Sequence, residues 1–162
     1  MNEVLMPPPA ILDPLSLDFS RPFATREQIA EVNPHRHEFA LLDAVVTFDR
    51  EAGTFSGYHD VRADEWWARG HVPGRPLFPG VLMIEVAAQL ASFLGHLVNG
   101  RDFFMGLTGV DDVKYRGTVE PPCRFVVVGR ALDARKRRTK CATQGFVDGT
   151  MVFEAVITGM AL

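Results

Sequence analysis

The sequence predicts an α+β fold in which a curved antiparallel β-sheet wraps around a long central helix at about residues 80–98. Three observations predict it. From Val81 to Val98 the chain is apolar except chiefly for Glu85, Gln89, Ser92 and His96, spaced 4, 3 and 4 apart. That is a single polar stripe at helical period, on a helix otherwise buried around its girth. Four stretches rich in β-branched and aromatic residues follow, at about 103–119, 124–133, 139–147 and 150–160, as strands require. The chain is 162 residues long, the length of one domain, with no internal repeat. A sheet must bury its apolar face, and the only large partner available is the long helix.

The other elements follow in order. Residues 1–22 hold five prolines, Pro7, Pro8, Pro9, Pro14 and Pro22, and are expected to form an extended arm with at most a short turn. Residues 23–162 form the single folded domain. Thr25 to Val32 suits a short helix, with Thr25 as N-cap, Gln28 in the capping-box position and Pro34 beyond its end. Phe39 to Phe48 and Thr54 to Val61 read as strands separated by a turn near Gly53. Residues 68–80 carry three glycines and three prolines and read as a loop. Trp66 and Trp67 precede it, suited either to a pocket wall or to core packing. Asp148-Gly149 is a two-residue hairpin turn between the last two strands. The basic run 135–138 sits at the tip of the preceding hairpin. An uncovered sheet edge would favour dimerisation by sheet extension.

Composition narrows the function. Hydrophobic residues make up 47% and charged residues 23%, which excludes a disordered or collagen-like chain. Two cysteines, Cys123 and Cys141, are too few for a disulfide framework or a thiolate zinc cluster. The net charge of −3 argues against nucleic acid as a partner. Residues 129–140 nevertheless gather six basic groups against one acid, a basic cluster on an otherwise acidic molecule. The N-terminal segment lacks a basic stretch followed by an apolar core, and the polar stripe disfavours a membrane span for 81–98. A cytoplasmic protein is expected.

Chemistry concentrates between Gly70 and Gln89, GHVPGRPLFPGVLMIEVAAQ. Glu85 begins the polar stripe of a buried helix. It is either bonded to a neighbour or a carboxyl whose pKa is raised by burial, as suits a general acid. His71 lies in the loop and is either a structural hydrogen-bonder or a base near neutral pH. Gly80 either makes a turn or presents an unobstructed backbone N–H at the helix N-terminus, where charge on a carbonyl oxygen could be stabilised. No third metal ligand stands at a suitable spacing, although His35 and His37 are possible recruits. Nucleophile-elbow, Walker and Rossmann patterns are absent.

The segment 70–89 resembles the GHFPxxPxxPGVLxxExxAQ signature of the FabZ-type 3-hydroxyacyl-(acyl carrier protein) dehydratases, a hot-dog-fold family. Pro34 to Asp43, PHRHEFALLD, resembles a second element of that family, and Val113 to Gly117 a third. The resemblance implies His71 and Glu85 as the catalytic pair, the Gly80 N–H on the thioester carbonyl and Gln89 as a supporting residue. It implies dehydration of a (3R)-3-hydroxyacyl thioester to the trans-2-enoyl thioester, without cofactor or metal. It also implies a homodimer with active sites shared between subunits, with further assembly to hexamers. The thioester would be carried by an acyl carrier protein or CoA. Phe78, Leu82 and Phe93 are candidate walls of an acyl tunnel, or core. Arg101 with Arg135, Lys136, Arg137 and Arg138 are candidates for docking an acidic carrier protein, or a solvated surface. Val72, His37, Glu38 and Ala44 depart from the family pattern and leave the acyl chain and pathway open. The competing readings are a hot-dog thioesterase and a non-catalytic acyl-binding or scaffold subunit.

Overall fold

Helix α2 (Gly80–Asn99) runs through the centre of the computed structural model, which describes residues 6–162. It starts directly after the extended Pro79 and stops at Gly100, whose φ of 97° a side chain would oppose. Val86, Ala87 and Leu90 are fully buried. By length and hydropathy α2 could cross a membrane, but here it is a core helix packed against the sheet.

The sheet has seven strands: β1 (Ala24–Thr25), β2 (Ala44–Asp49), β3 (Thr54–Val61), β4 (Met105–Tyr115), β5 (Cys123–Arg135), β6 (Arg138–Val147) and β7 (Thr150–Ala161). Their order is β1-β2-β3-β5-β6-β7-β4, and every neighbouring pair is antiparallel. α2 contacts β3 through β7 from the concave side. This is the hot-dog architecture. Between β2 and β3, Gly53 turns the chain at φ 67°. Asp148 and Gly149 take φ values of 48° and 76°, as a tight hairpin turn of the primed type needs. Arg135 pairs with Arg138, so Lys136 and Arg137 form the hairpin tip. The short helix α1 (Arg26–Ala30) carries the reciprocal capping box of Thr25 and Gln28.

Two strands are shorter than the sequence suggests. Phe39 to Asp43 is not part of β2: His37–Phe39 makes a 3-10 turn, and the Leu41 and Leu42 amides bond to the side chain of Gln89 instead of a strand. β4 ends at Tyr115 and carries two irregularities, between Leu107 and Gly109 and between Asp111 and Lys114. Residues 1–5 of the N-terminal arm lie outside the described residues. The remainder crosses the outer face of the sheet, with a 3-10 turn at Pro14–Ser16. Ile11, Leu12, Leu17 and Phe19 pack on Val126, Val128 and Phe146, forming a second, smaller apolar cluster. The Gln144 side chain accepts from Ile11 N and donates to Pro9 O, pinning the arm.

Leu90 faces the core with no exposure. Leu90→Ala is expected to cost about 2–5 kcal/mol, read as a lower urea midpoint at unchanged m-value.

Candidate active site

Gln89 is 2% exposed and uses its whole carboxamide. Its Oε1 accepts from Leu41 N at 3.1 Å and Leu42 N at 3.2 Å. Its Nε2 donates to Phe39 O at 2.7 Å and to Glu85 Oε1 at 2.8 Å. Two acceptor and two donor contacts exhaust what an amide offers. One turn back, the Glu85 carboxylate is thus fixed, and it remains partly open to solvent. Asn33 Nδ2 ties the same helix turn from outside, donating to Gln89 O at 2.8 Å.

His35 completes this cluster. Its Nε2 lies 3.4 Å from Glu85 Oε1. Burial lowers its pKa from the ordinary histidine value, more than the Glu85 charge raises it, and the Arg36 charge lowers it further. Spacing alone could not place His35 here, since it stands fifty residues from Glu85. Its sequence signals are its position in the PHRHEFALLD block and its residue type, which offers it as a recruit beside Glu85 without fixing the place.

His71 is held elsewhere in the chain. Its backbone N–H donates to Trp67 O at 2.9 Å, and its ring Nδ1 lies 2.9 Å from Leu77 O. A carbonyl can only accept, so the proton is assigned to Nδ1. Nε2 is left on the exposed side of the ring, without a hydrogen-bond partner in the chain. His71 and Glu85 have different hydrogen-bond partners, and a single chain does not join them by a direct contact.

Gly80 opens α2, where no side chain caps the helix N-terminus. A Cβ at this position would fall 2.7 Å from the Tyr115 ring. Glycine is therefore set by close approach of a β4 side chain, not only by the Pro-Gly turn.

The candidate tunnel residues Phe78, Leu82 and Phe93 are all buried in the core. Phe78 packs among His59, Trp67 and Phe125. The cavity beside His35, about 50 Å³, is walled by Ala88, Ala91, Met105, Leu107 and Ile157. On the other side of His35 lies a more polar cavity of about 310 Å³, bordered by Asn33, Arg36 and Gln89. Among the described residues no group of three His, Cys, Asp or Glu side chains is arranged to hold a metal.

The basic candidates gather at one end of the sheet. Arg138 pairs with Met160, and Met105 with Ala161. The hairpin tip thus shares an end with the turn that carries Arg101. Arg135 pairs with Asp133 at 3.1 Å, and Arg137 donates to Ala161 O. This end lies about 20 Å along α2 from Glu85 in the same chain, at 1.5 Å per residue.

A family model described as a FabA-like domain matches residues 33–156. The chain belongs to the FabA-like dehydratase family. This FabA-like chain is 32% identical over 139 residues to "3-hydroxyacyl-[acyl-carrier-protein] dehydratase FabZ" of Lawsonia intracellularis, covering 82% of this chain and 88% of that protein. It is 33% identical over 131 residues to the protein of the same name from Mannheimia succiniciproducens, covering 79% and 86%. Among solved structures it is similar to the dehydratase heterocomplex ApeI:P of Xenorhabdus doucetiae, with TM-score 0.70, 14% identity, and 83% and 90% of the two chains covered. A mutant thioesterase of Pseudomonas aeruginosa superposes with TM-score 0.65 at 18% identity, over 88% and 98%. At such identities these structures speak for the fold alone.

Gln89→Ala is expected to strand the buried amides of Leu41 and Leu42. Each unsatisfied buried group costs about 1–3 kcal/mol, so chemical denaturation should show a loss of at least ~2 kcal/mol.

Proposed function

We propose that this FabA-like protein eliminates water from (3R)-3-hydroxyacyl thioesters, giving trans-2-enoyl thioesters in fatty acid or related lipid biosynthesis. The coarser assignment, a hot-dog enzyme of acyl thioesters, comes with the family. One observation carries the finer reading. A histidine with a free Nε2 and a carboxylate clasped by a buried amide are both prepared for proton transfer.

In the proposed reaction His71 Nε2 takes the proton from Cα. The electron pair moves toward the thioester oxygen, where the Gly80 N–H accommodates the charge. The pair then returns to form the Cα–C3 double bond as the C3–O bond breaks, and Glu85, which enters the step protonated, gives its proton to the departing hydroxyl, so that water leaves. Proton return from His71 to Glu85 through solvent restores the starting state. The thioester itself acidifies Cα, so the reaction needs no cofactor.

The site is assembled between two subunits in this reading. β4 is the terminal strand of the sheet and exposes Leu107 and Tyr115, with Met160 and Leu162 nearby. Residues of the same strand wall the cavity beside His35. A second copy paired along β4 would cover that apolar edge, extend the cavity and supply its His71 to this Glu85. The basic end, with Arg101 and residues 135–138, suits an acidic carrier protein, whose charge would steer encounter more than affinity.

Incubating the protein with a 3-hydroxyacyl thioester, on carrier protein or on CoA, and following loss of one water by mass spectrometry tests the reading. His71→Ala and Glu85→Ala should each lower turnover by at least ~100-fold. Release of free thiol without enoyl product would make the protein a thioesterase. Turnover unchanged in both variants, or absent in the wild type, would overturn the proposal.

A further inference from the structure

One buried histidine has no part in the proposed chemistry. His59 lies on β3 and is 3% exposed. Its Nδ1 is 3.1 Å from Asp43 Oδ2, and its Nε2 is 3.1 Å from both oxygens of Glu65. Ionised carboxylates only accept, so both ring nitrogens carry protons and the ring is an imidazolium. Burial disfavours the cation, but the hydrogen bonds and charges of Asp43 and Glu65 outweigh it and push His59 up to about 9. The surrounding charges are arranged around this pair. Arg26 of α1 bonds Asp43, and the Asp60 N–H donates to Asp43 Oδ2 at 2.8 Å. The Arg62 N–H donates to Glu65 Oε1 at 2.8 Å, while the Arg62 side chain turns to Asp64. Arg124 on β5 engages Asp60 through two nitrogens.

His59 stands where two segments meet. Asp43 ends the stretch whose Leu41 and Leu42 amides hold Gln89, and through it Glu85. Glu65 begins the loop that carries His71, two residues before the Trp67 carbonyl that accepts the His71 N–H. Phe78, 5.4 Å from the His59 ring, adjoins Leu77, whose carbonyl accepts from His71 Nδ1. Both anchors of His71 and the anchor of Glu85 therefore converge on one ring.

We infer that His59 is a positioning residue, an imidazolium clamp that joins the segment behind Glu85 to the loop behind His71 and so sets the placement of both groups. The inference rests on the dehydratase reading. The direction of its pH dependence follows from the raised pKa. The imidazolium clamp persists in the folded protein until pH rises through about 9; its contribution to stability is complete below about 6.5, the ordinary histidine value, and is lost by about 9.

The experiment compares wild type, His59→Gln and His59→Lys. Enoyl formation by the wild type tests the dehydratase reading by itself, and the clamp is read from the variants. His59→Gln keeps a polar group and removes the charge. It should lower kcat by ~10- to 100-fold, the scale of a misplaced catalytic group, with KM within about threefold. His59→Lys restores a cation. It should recover most of kcat and move the alkaline limb of the kcat profile from about 9 in the wild type to above ~10, where lysine titrates. A second readout needs no turnover. The imidazole C–H resonances of His71 in NMR should report a transition near pH 9 in the wild type, absent there in His59→Lys. Equal kcat in His59→Gln and wild type, an alkaline limb unmoved in His59→Lys, or His71 resonances indifferent to that transition would overturn the clamp. If His59→Gln does not fold, His59→Lys and the wild-type titration carry the same decision.

Discussion

The carboxamide of Gln89 is the contact on which the rest of this structure depends. It is buried, and all its hydrogen-bonding capacity is used between the central helix and the segment Phe39–Leu42. A strand in place of that segment would satisfy its own amides through a ladder. Here the amides turn to a side chain, and the helix gains a fixed neighbour on its polar side. Glu85 is held because Gln89 is held. A long carboxylate side chain otherwise has several rotamers, and ordering it costs conformational entropy. The hydrogen bond from Gln89 Nε2 fixes one oxygen and leaves the group partly open to the space where substrate is proposed to sit.

The second half of the proposed site follows another logic. His71 lies on an exposed loop, where a free imidazole would sample many orientations. Two carbonyls restrict it, one through its backbone and one through its ring. The Leu77 carbonyl also selects the tautomer, which decides which nitrogen can act as base. The loop is fixed from below by the buried ring of Phe78 and by Glu65. Each proposed catalytic group is thus positioned by a partner of its own, and His59 is the residue common to the two supports.

Much of this was legible in local sequence. The capping box at Thr25 and Gln28, the turn at Asp148-Gly149 and the helix from Gly80 each depend on residues close in the chain, so pattern and turn chemistry were sufficient. Phe39 to Asp43 reads as strand because its apolar residues suit one, while the competing acceptor, Gln89, lies almost fifty residues away. The pairing of His35 with Glu85 and the convergence of Asp43, His59 and Glu65 have no characteristic spacing. They arise only when the sheet brings distant segments together. By residue type Phe78, Leu82 and Phe93 suit a tunnel wall and a core equally, and all three are buried.

Glu85 and His71 belong to different supports within one chain, and the β4 edge lies beside the cavity lined by His35, the neighbour of Glu85. Each proposed site therefore takes its carboxylate from one subunit and its imidazole from another. Subunit complementation measures this directly. His71→Ala and Glu85→Ala proteins, each inactive alone, are unfolded and refolded as an equal mixture. In a two-fold dimer, random pairing leaves one intact site in half of the dimers, so the mixture should recover about a quarter of wild-type turnover. A mixture that refolds to dimers and stays as inactive as its components would contradict the account.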